Sequence, residues 1–159
     1  LAEKLGFHVY VTDDRSEFAN SERFPEAKQT IAMHHEEALR QINITKNSFI
    51  VVATRGHRYD SDALGAAAKT SATYVGLLGS KRKIILIYED LFKMGLPKER
   101  IMELRAPIGL EINARTPDEI AISIVAEILM FKLGGSGENM KLDKKLVEKI
   151  FTKQVKTIS

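Results

Sequence analysis

Short apolar runs alternate along the chain with longer stretches of helical periodicity. The apolar runs predict four β-strands, at 7–12, 29–33, 49–54 and 73–78, and a shorter fifth strand at 102–106. The intervening stretches predict helices at 36–42, 60–69 and 81–94. Strands that alternate with helices are typical of a parallel sheet whose crossover helices cover both of its faces. We therefore predict an α/β fold that is Rossmann-like and doubly wound, with a mostly parallel sheet.

The best-marked helix begins at Thr116. Thr116 and Glu119 match a capping box and Pro117 takes the first helical position, so a helix is expected from there to about Lys132. It is apolar on almost every side, which predicts burial against the sheet. Glycines in residues 134–137 then predict a flexible joint, followed by a basic amphipathic helix. The predicted organisation is a Rossmann domain at 1–133 and an appendage at 134–159.

The start of the chain lacks two parts of a complete dinucleotide-binding fold. That fold opens with a strand and a glycine-rich phosphate loop, followed by a helix and a second strand. Residues 1–6 predict only the last turn of such a helix. We expect the natural polypeptide to continue upstream with the first strand and the glycine loop. Without that strand, the strands at 7–12 and 49–54 would be separated by roughly 10 Å, or two strand spacings.

Composition excludes several classes of protein. With 159 residues, 44% of them hydrophobic, the chain can fill the core of one domain and is not disordered as a whole. It contains no cysteine, which excludes disulfides, thiolate zinc sites and cysteine nucleophiles and is compatible with a reducing compartment. The most apolar stretch, 120–131, is too short to span a bilayer, and no secretory signal precedes it. We expect a cytoplasmic protein that makes no membrane contact.

The net charge of +3 is concentrated at the end of the chain. Residues 132–159 contain seven lysines and three acidic residues, so this tail carries +4 and the preceding 131 residues carry −1. A nearly neutral body argues against a nucleic-acid-binding domain, because phosphate affinity requires a clustered basic face. We also expect no metal site, since His34 and His35 are adjacent, and His8 and His57 lack ligand spacing.

Candidate ligand-binding residues follow the predicted strands, because doubly wound sheets bind ligands at the carboxyl ends of their strands. Asp13 and Asp14 follow the first strand, where a carboxylate accepts hydrogen bonds from ribose hydroxyls; a simple turn or helix cap is the alternative. Arg55, Gly56 and His57 follow the strongest strand. The glycine lets the backbone approach a ligand, and the guanidinium can hold phosphate or carboxylate through two hydrogen bonds. The alternative for His57 is a capping role.

A basic turn follows the strand at 73–78. The candidates in this region are Gly76, Gly79, Ser80, Lys81 and Arg82. With Lys83, three cations lie in the first turn of a helix, where they oppose the macrodipole at a cost of a few tenths of a kcal/mol each. A bound anion would make the net electrostatic energy of this turn favourable. The alternative is a basic turn without a ligand, whose charges are screened by solvent. Gly109, in an apolar loop at 107–112, is the last candidate and suits a specific backbone path.

These motifs resemble the C-terminal Rossmann domain of the XdhC/CoxI family, the accessory proteins that mature molybdenum hydroxylases such as xanthine dehydrogenase. The resemblance covers roughly residues 1–132 and is carried by residues 5–7, 11–15, 18, 22–25, 54–57, 74–83, 106–110 and 116–121. It implies binding of the molybdenum cofactor (molybdopterin), a phosphorylated pterin dithiolene, and its protected delivery to an apoenzyme. On this hypothesis Asp14 accepts hydrogen bonds from hydroxyl groups of the ligand, the turn at 79–83 holds its phosphate, and Arg55 and His57 line the site.

Two other functions would use the same site. A nicotinamide-dependent oxidoreductase, binding NAD(P), would need a proton donor, for which His57 or Tyr59 is the candidate. A non-catalytic protein-interaction domain would need no ligand. The resemblance favours a cofactor-binding maturation factor without catalytic residues over an enzyme. The expected partners are a molybdenum hydroxylase apoenzyme and other cofactor-maturation proteins, and pairing of an exposed sheet edge would give a homodimer.

Overall fold

The computed structural model describes the backbone of residues 1–158 and the side chains of residues 1–152. A 3₁₀ turn, Glu3–Leu5, opens the chain and ends at Gly6, whose φ is 81°. The other elements, in chain order, are β1 (Tyr10–Asp13), β2 (Gln29–Ala32), α1 (His35–Gln41), β3 (Phe49–Val52), α2 (His57–Ala68), β4 (Tyr74–Leu77), α3 (Lys81–Lys93), α4 (Lys98–Glu103), α5 (Pro117–Leu133) and α6 (Lys144–Ile158). This alternation confirms the predicted Rossmann-like α/β fold.

The strands form two separate two-stranded parallel sheets. In the first sheet β1 pairs with β2, so that Asp13 lies opposite Ala32. In the second sheet β3 pairs with β4, with Phe49 opposite Tyr74. β1 and β3 form no ladder with each other. The sheet is therefore interrupted between the two strands that the sequence predicts to flank a gap.

Helices cover both faces of the β3–β4 sheet. All four residues of β4 are buried, as expected for a parallel strand inside the fold. Val75 and Leu77 belong to a core built mainly from α2, α3 and α4. Tyr74 lies on the opposite face in a smaller cluster with Ile124 and Ile128 of α5. Because successive side chains of a strand point to opposite faces, β4 contributes side chains to two separate cores.

The structure corrects two predicted boundaries. The strand predicted at 102–106 is wrong, because α4 occupies Lys98–Glu103 and only Arg105 bridges to β4, opposite Gly76. Ile101 and Leu104 face the larger core, and their spacing of three residues is typical of a helix. The apolar run is too short for this spacing to be distinguished from that of a strand. Helix α2 starts at His57, three residues before its predicted start. His57 therefore lies in the first turn of a helix, whereas the sequence placed it in the preceding loop.

Helix α5 has the predicted cap and packs against the sheet along one of its faces. The Thr116 hydroxyl accepts a hydrogen bond from the Glu119 N–H, and the Glu119 carboxylate accepts one from the Thr116 N–H at 2.9 Å. Only Ser123, Ile124, Glu127 and Ile128 are buried, so the predicted burial against the sheet is limited to one side of the helix, although the helix is apolar on almost every side. The buried face includes two polar residues because they hydrogen-bond to the loop that precedes the helix. No helix in residues 1–158 is long and apolar enough to cross a bilayer.

Candidate functional site

The carboxyl ends of β1 and β3 are joined by an ion pair. A terminal nitrogen of Arg55 donates to Oδ2 of Asp14 at 2.8 Å, between residues 41 positions apart in the sequence. The same guanidinium lies 4.7 Å from the centre of the Tyr59 ring. Both charged side chains are more than a third exposed, so the pair contributes at most about 1 kcal/mol and opens readily. Two of the predicted site residues, Asp14 and Arg55, thus come together across the space between the two sheets.

Asp13 is bound within its own turn. Its carboxylate accepts hydrogen bonds from Nε of Arg15 at 2.9 Å, from Nη2 at 3.1 Å, and from the Arg15 backbone N–H at 3.0 Å. These bonds from Arg15 lower the pKa of Asp13 below its usual value. Arg15 in turn lies 3.8 Å above the ring of Phe18. Asp13 therefore has the structural role in a turn that the sequence offered as the alternative to ligand binding. Asp14 is the more exposed of the two carboxylates.

Asp60 is a fully buried acid that organises the site, and it is not among the candidate residues predicted from the sequence. Its Oδ1 accepts hydrogen bonds from the Thr54 hydroxyl at 2.7 Å and from the Thr54 N–H at 3.2 Å. Its Oδ2 has no well-aligned hydrogen-bond donor and forms an ion pair with Lys83 of α3. Asp60 therefore joins the turn before α2 to the first turn of α3. The available signal was an acidic residue in the first turn of a helix, where the macrodipole favours it.

The basic turn at 79–82 opens α3 at the same edge of the sheet as Arg55, because β3 and β4 are parallel. Ser80 caps this helix by accepting a hydrogen bond from the Lys83 N–H at 3.4 Å. Lys83 is already paired with Asp60. Lys81 and Arg82 are exposed and enter no salt bridge among the side chains of residues 1–152. The turn therefore presents two uncompensated cations and the positive end of a helix dipole, which together suit an anion.

The structure explains two predicted site glycines by packing. A Cβ on Gly76 would overlap the Ile108 side chain, which lies directly against it. Gly109 has φ of 104°, and a Cβ there would overlap the hydroxyl of Ser123. The Gly109 N–H donates to Oε2 of Glu127 at 2.7 Å, so it is already satisfied within the protein. Gly76 and Gly109 shape the loop around residues 108–110, whereas Gly56 and Gly79 are partly exposed and have room for a Cβ without overlap.

Glu127 is the second buried acid that is absent from the candidate residues predicted from the sequence. Its Oε2 also accepts a hydrogen bond from the Tyr74 hydroxyl at 2.7 Å, so one carboxylate oxygen joins β4, α5 and the Gly109 loop. Burial and this bond to Glu127 raise the pKa of Tyr74 well above its usual value. A single glutamate inside an otherwise apolar helix was the available sequence signal, since such a residue is rarely buried without partners.

The structure directs His57 toward α3. Its Nε2 lies 3.7 Å from Oδ2 of Asp90, and the residue lines a cavity of about 270 Å³ between α2 and α3. His34 and His35 follow β2, and their rings stack with centres 3.9 Å apart. Burial, followed by the neighbouring His34, lowers the pKa of His35. Within the described residues, no group of three or more histidine, cysteine or acidic side chains is arranged to hold a metal ion.

Comparison with known proteins gives a family match and several relatives. The model of the XdhC Rossmann domain matches residues 1–128. Protein YqeB of Escherichia coli is 37% identical over 139 residues, covering 86% of this chain and 25% of the relative. A protein of Bacillus subtilis, named as a probable subunit of xanthine dehydrogenase, is 33% identical over 129 residues, covering 81% of this chain and 37% of the relative. The chain thus spans about a quarter to a third of the length of these relatives.

Two further matches extend the comparison. The molybdenum cofactor insertion chaperone PaoD of Escherichia coli is 34% identical over 70 residues, which is 44% of this chain and 22% of that protein. A crystal structure of a xanthine dehydrogenase from Bacillus halodurans superposes with a TM-score of 0.72 and 30% identity, covering 84% of this chain and 39% of the other. With a family model matching most of its length, the chain belongs to the XdhC Rossmann-domain family.

Proposed function

We propose that this domain is part of an accessory protein for molybdenum-hydroxylase maturation and holds the molybdenum cofactor for delivery to an apoenzyme. Membership of the XdhC family supports this role. Further support comes from relatives named as a molybdenum cofactor insertion chaperone and as a probable subunit of xanthine dehydrogenase. The observation that carries the location of binding is the basic turn at 79–82, where two cations without acidic partners open a helix at the carboxyl edge of the sheet.

The donor groups of this chain fit the phosphate end of the cofactor. The backbone N–H groups at the start of α3 and the side chains of Lys81 and Arg82 are hydrogen-bond donors of the kind that bind a phosphate. The 159 residues include no cysteine, so this chain offers no thiolate to the molybdenum end. When bound, the cofactor supplies the molybdenum–dithiolene unit. The residues of this domain would anchor and orient its phosphorylated end.

The Asp14–Arg55 pair has a role that follows from its exposure. A ligand hydroxyl that donates to Asp14, or a ligand anion that accepts from Arg55, would replace one half of a pair that contributes at most about 1 kcal/mol. Replacing one partner by a ligand group therefore costs little free energy. Asp14 can still accept hydrogen bonds from the ligand's hydroxyls, and Arg55 can still donate to its phosphate. Asp60 holds the backbone of Thr54, so the start of the Arg55 turn stays fixed during the exchange.

The test is native mass spectrometry of the purified protein against molybdopterin, NAD and NADP. We expect selective retention of molybdopterin. The double variant K81A/R82A should weaken retention about five- to thirtyfold, since each exposed charge contributes about 0.5–1 kcal/mol. The control K141A/K144A removes the same amount of charge from exposed lysines of the appendage and should leave retention unchanged.

Three outcomes would contradict the proposal. Retention of NAD or NADP instead of molybdopterin would favour the oxidoreductase alternative. No retention of any of the three would favour a protein-interaction domain. Equal weakening by K81A/R82A and by K141A/K144A would show that net charge, and not the turn at 79–82, attracts the ligand.

A further inference from the structure

A second cavity, of about 360 Å³, opens at the edge of the β3–β4 sheet that lies opposite the candidate site, and we call it the amino-edge pocket. Lys46, just before β3, and Thr73, just before β4, contribute to its walls. The other walls come from the turn after α2, from α4 and Arg105, and from Phe131 near the end of α5. Because both parallel strands begin here, the pocket is separated from the candidate site by the length of the sheet.

Side-chain hydrogen bonds to the backbone hold two walls of the pocket together. The Ser71 hydroxyl donates to the carbonyl of Ile44 at 2.7 Å. The Thr73 hydroxyl donates to the carbonyl of Lys46 at 2.8 Å. These two bonds join the turn that leads into β4 to the turn that leads into β3. A ligand would therefore enter a pocket whose walls are already ordered, which lowers the entropy cost of binding.

Arg100 occupies the carbonyl groups that would otherwise repel an anion in the pocket. Its Nε donates to the carbonyl of Ala68 at 2.8 Å, and its Nη2 donates to the carbonyl of Ala72 at 2.8 Å. Ala68 is the last residue of α2, where the helix dipole is negative. Nη1 of Arg100 pairs with Glu103 at 2.8 Å. Arg100 is therefore a structural residue whose charge Glu103 balances.

Arg105 and Lys46 are the uncompensated cations of the pocket. The backbone N–H of Arg105 donates to the carbonyl of Val75 at 2.9 Å, so β4 fixes the position of this residue. Its side chain is half-buried, and neither Arg105 nor Lys46 forms a salt bridge among the side chains of residues 1–152. A guanidinium without an acidic partner offers paired N–H donors that match a phosphate or a carboxylate.

The ring of Phe131 gives the same pocket an apolar wall. Phe131 is 37% exposed, and it packs edge to face on Tyr74 with ring centres 5.4 Å apart, which limits its movement. The guanidinium carbon of Arg105 lies 5.3 Å from the centre of the Phe131 ring. The positive charge and the apolar surface are therefore adjacent. The cavity lies in the lower part of the range of about 300–1,000 Å³ that is usual for small organic ligands.

We propose that the amino-edge pocket binds a small organic anion in which a phosphate or carboxylate group is attached to a flat apolar ring. Arg105 donates hydrogen bonds to the charged group, Lys46 adds a second positive charge, and the ring of the ligand packs against Phe131. The proposal rests on this pocket alone, so it stands whether or not the domain binds the molybdenum cofactor at the opposite edge of the sheet.

The test is a titration of the ¹⁵N-labelled 159-residue chain with phenyl phosphate, followed by NMR. The K81A/R82A variant is titrated as well, so that the basic turn at 79–82 does not compete for the probe. In both proteins we expect amide shifts at Lys46, Thr73 and Arg105 that saturate in the millimolar range. Benzoate replaces the phosphate by a carboxylate, and the tighter of the two probes identifies the preferred charged group. Inorganic phosphate lacks the ring and should bind about threefold more weakly than phenyl phosphate.

Three variants locate the binding energy. Arg105→Gln should weaken binding of phenyl phosphate about tenfold, because a hydrogen-bond donor to a charged group is lost from a half-buried position. Lys46→Gln should weaken it about threefold, because Lys46 is exposed, and the same exposure makes this variant harmless to the fold. Lys98→Gln is the matched control, since it removes an exposed lysine of α4 that does not line the pocket, and it should leave the affinity unchanged.

The proposal fails if phenyl phosphate produces no saturable shifts, or only shifts outside the pocket. It also fails if Lys98→Gln weakens binding as much as Lys46→Gln, because net charge alone would then attract the probe. Equal affinity for inorganic phosphate and phenyl phosphate would overturn the assignment of an organic ligand. Should Arg105→Gln not fold, the comparison of Lys46→Gln with Lys98→Gln decides the question.

Discussion

The ion pair between Asp60 and Lys83 gives the sharpest stability prediction. Asp60 is fully buried, whereas the Lys83 side chain is 29% exposed, so the two partners differ in what they lose when the pair is broken. Lys83→Met removes the cation that faces Oδ2 of Asp60 and leaves a buried carboxylate without charge compensation. Breaking a buried pair from one side costs about 3–5 kcal/mol. We expect Lys83→Met to lower the free energy of unfolding by that amount.

The companion variants separate charge from packing. Asp60→Asn retains an oxygen for both Thr54 donors and leaves a lysine that can turn toward water, so it should cost only about 1–2 kcal/mol. The double variant K83M/D60N removes both charges and should be more stable than Lys83→Met alone. Lys81→Met is the matched control, because Lys81 is exposed and should change stability by no more than about 0.5 kcal/mol.

The assay is urea unfolding at pH 7, followed by circular dichroism because the chain contains no tryptophan. The slope of free energy against urea should stay constant across the variants, so that the midpoints report stability alone. If Lys83→Met unfolds at the same urea concentration as Lys81→Met, the ion pair contributes nothing to stability and the reasoning is refuted. If K83M/D60N is no more stable than Lys83→Met, lost packing of the lysine stem explains the effect.

Three further predictions concern other buried groups. Glu127→Ala should cost about 2–6 kcal/mol in urea unfolding, because it leaves two buried donors without an acceptor; adding Tyr74→Phe removes one donor and should recover part of the loss, and simple additivity would refute the shared acceptor. His35→Gln should reduce the loss of stability between pH 7 and pH 5: burial holds the folded pKa of His35 below the unfolded value of about 6.5, so the unfolded chain takes up the proton first and stability falls below that pH. The exposed His8→Gln should keep the wild-type pH profile, and equal profiles for both variants would exclude His35 as the cause. Gly76→Ala should lower the melting temperature by several degrees, because its methyl group overlaps the side chain that packs on the glycine; an unchanged melting temperature would show that the loop yields freely.

Local patterns in the sequence were sufficient to predict most of the fold. Apolar and β-branched runs located all four strands of residues 1–158. β3 and β4 are continuously apolar, as expected of parallel strands inside a fold, but only β4 is buried along its whole length. The capping box at Thr116 fixed the start of α5, because its hydrogen bonds join residues only three positions apart. The run at 102–106 was assigned to the wrong element because it is too short for the periods of two and 3.6 to be distinguished.

The sequence also singled out residues that the structure brings to one edge of the sheet, but it did not identify the partners of their charges. It singled out Asp14, Arg55 and the basic turn because each follows a strand, and all strands of a parallel sheet end on the same side. It missed Asp60, and it counted Lys83 among the cations free to meet an anion. The structure pairs these two residues with each other, which leaves Lys81 and Arg82 as the exposed cations.

The sequence by itself determined the alternation of strands and helices, the capped start of α5 and the edge at which chemistry is concentrated. These features depend on residues that are close in the sequence, so the local pattern of apolar and polar residues is sufficient to predict them. Only the tertiary structure decided that Arg55 meets Asp14, that Glu127 supports the Gly109 loop, and that Gly76 is required for packing. The physical reason is that such partners lie tens of residues apart, so their pairing depends on how complete elements pack, which no local pattern encodes.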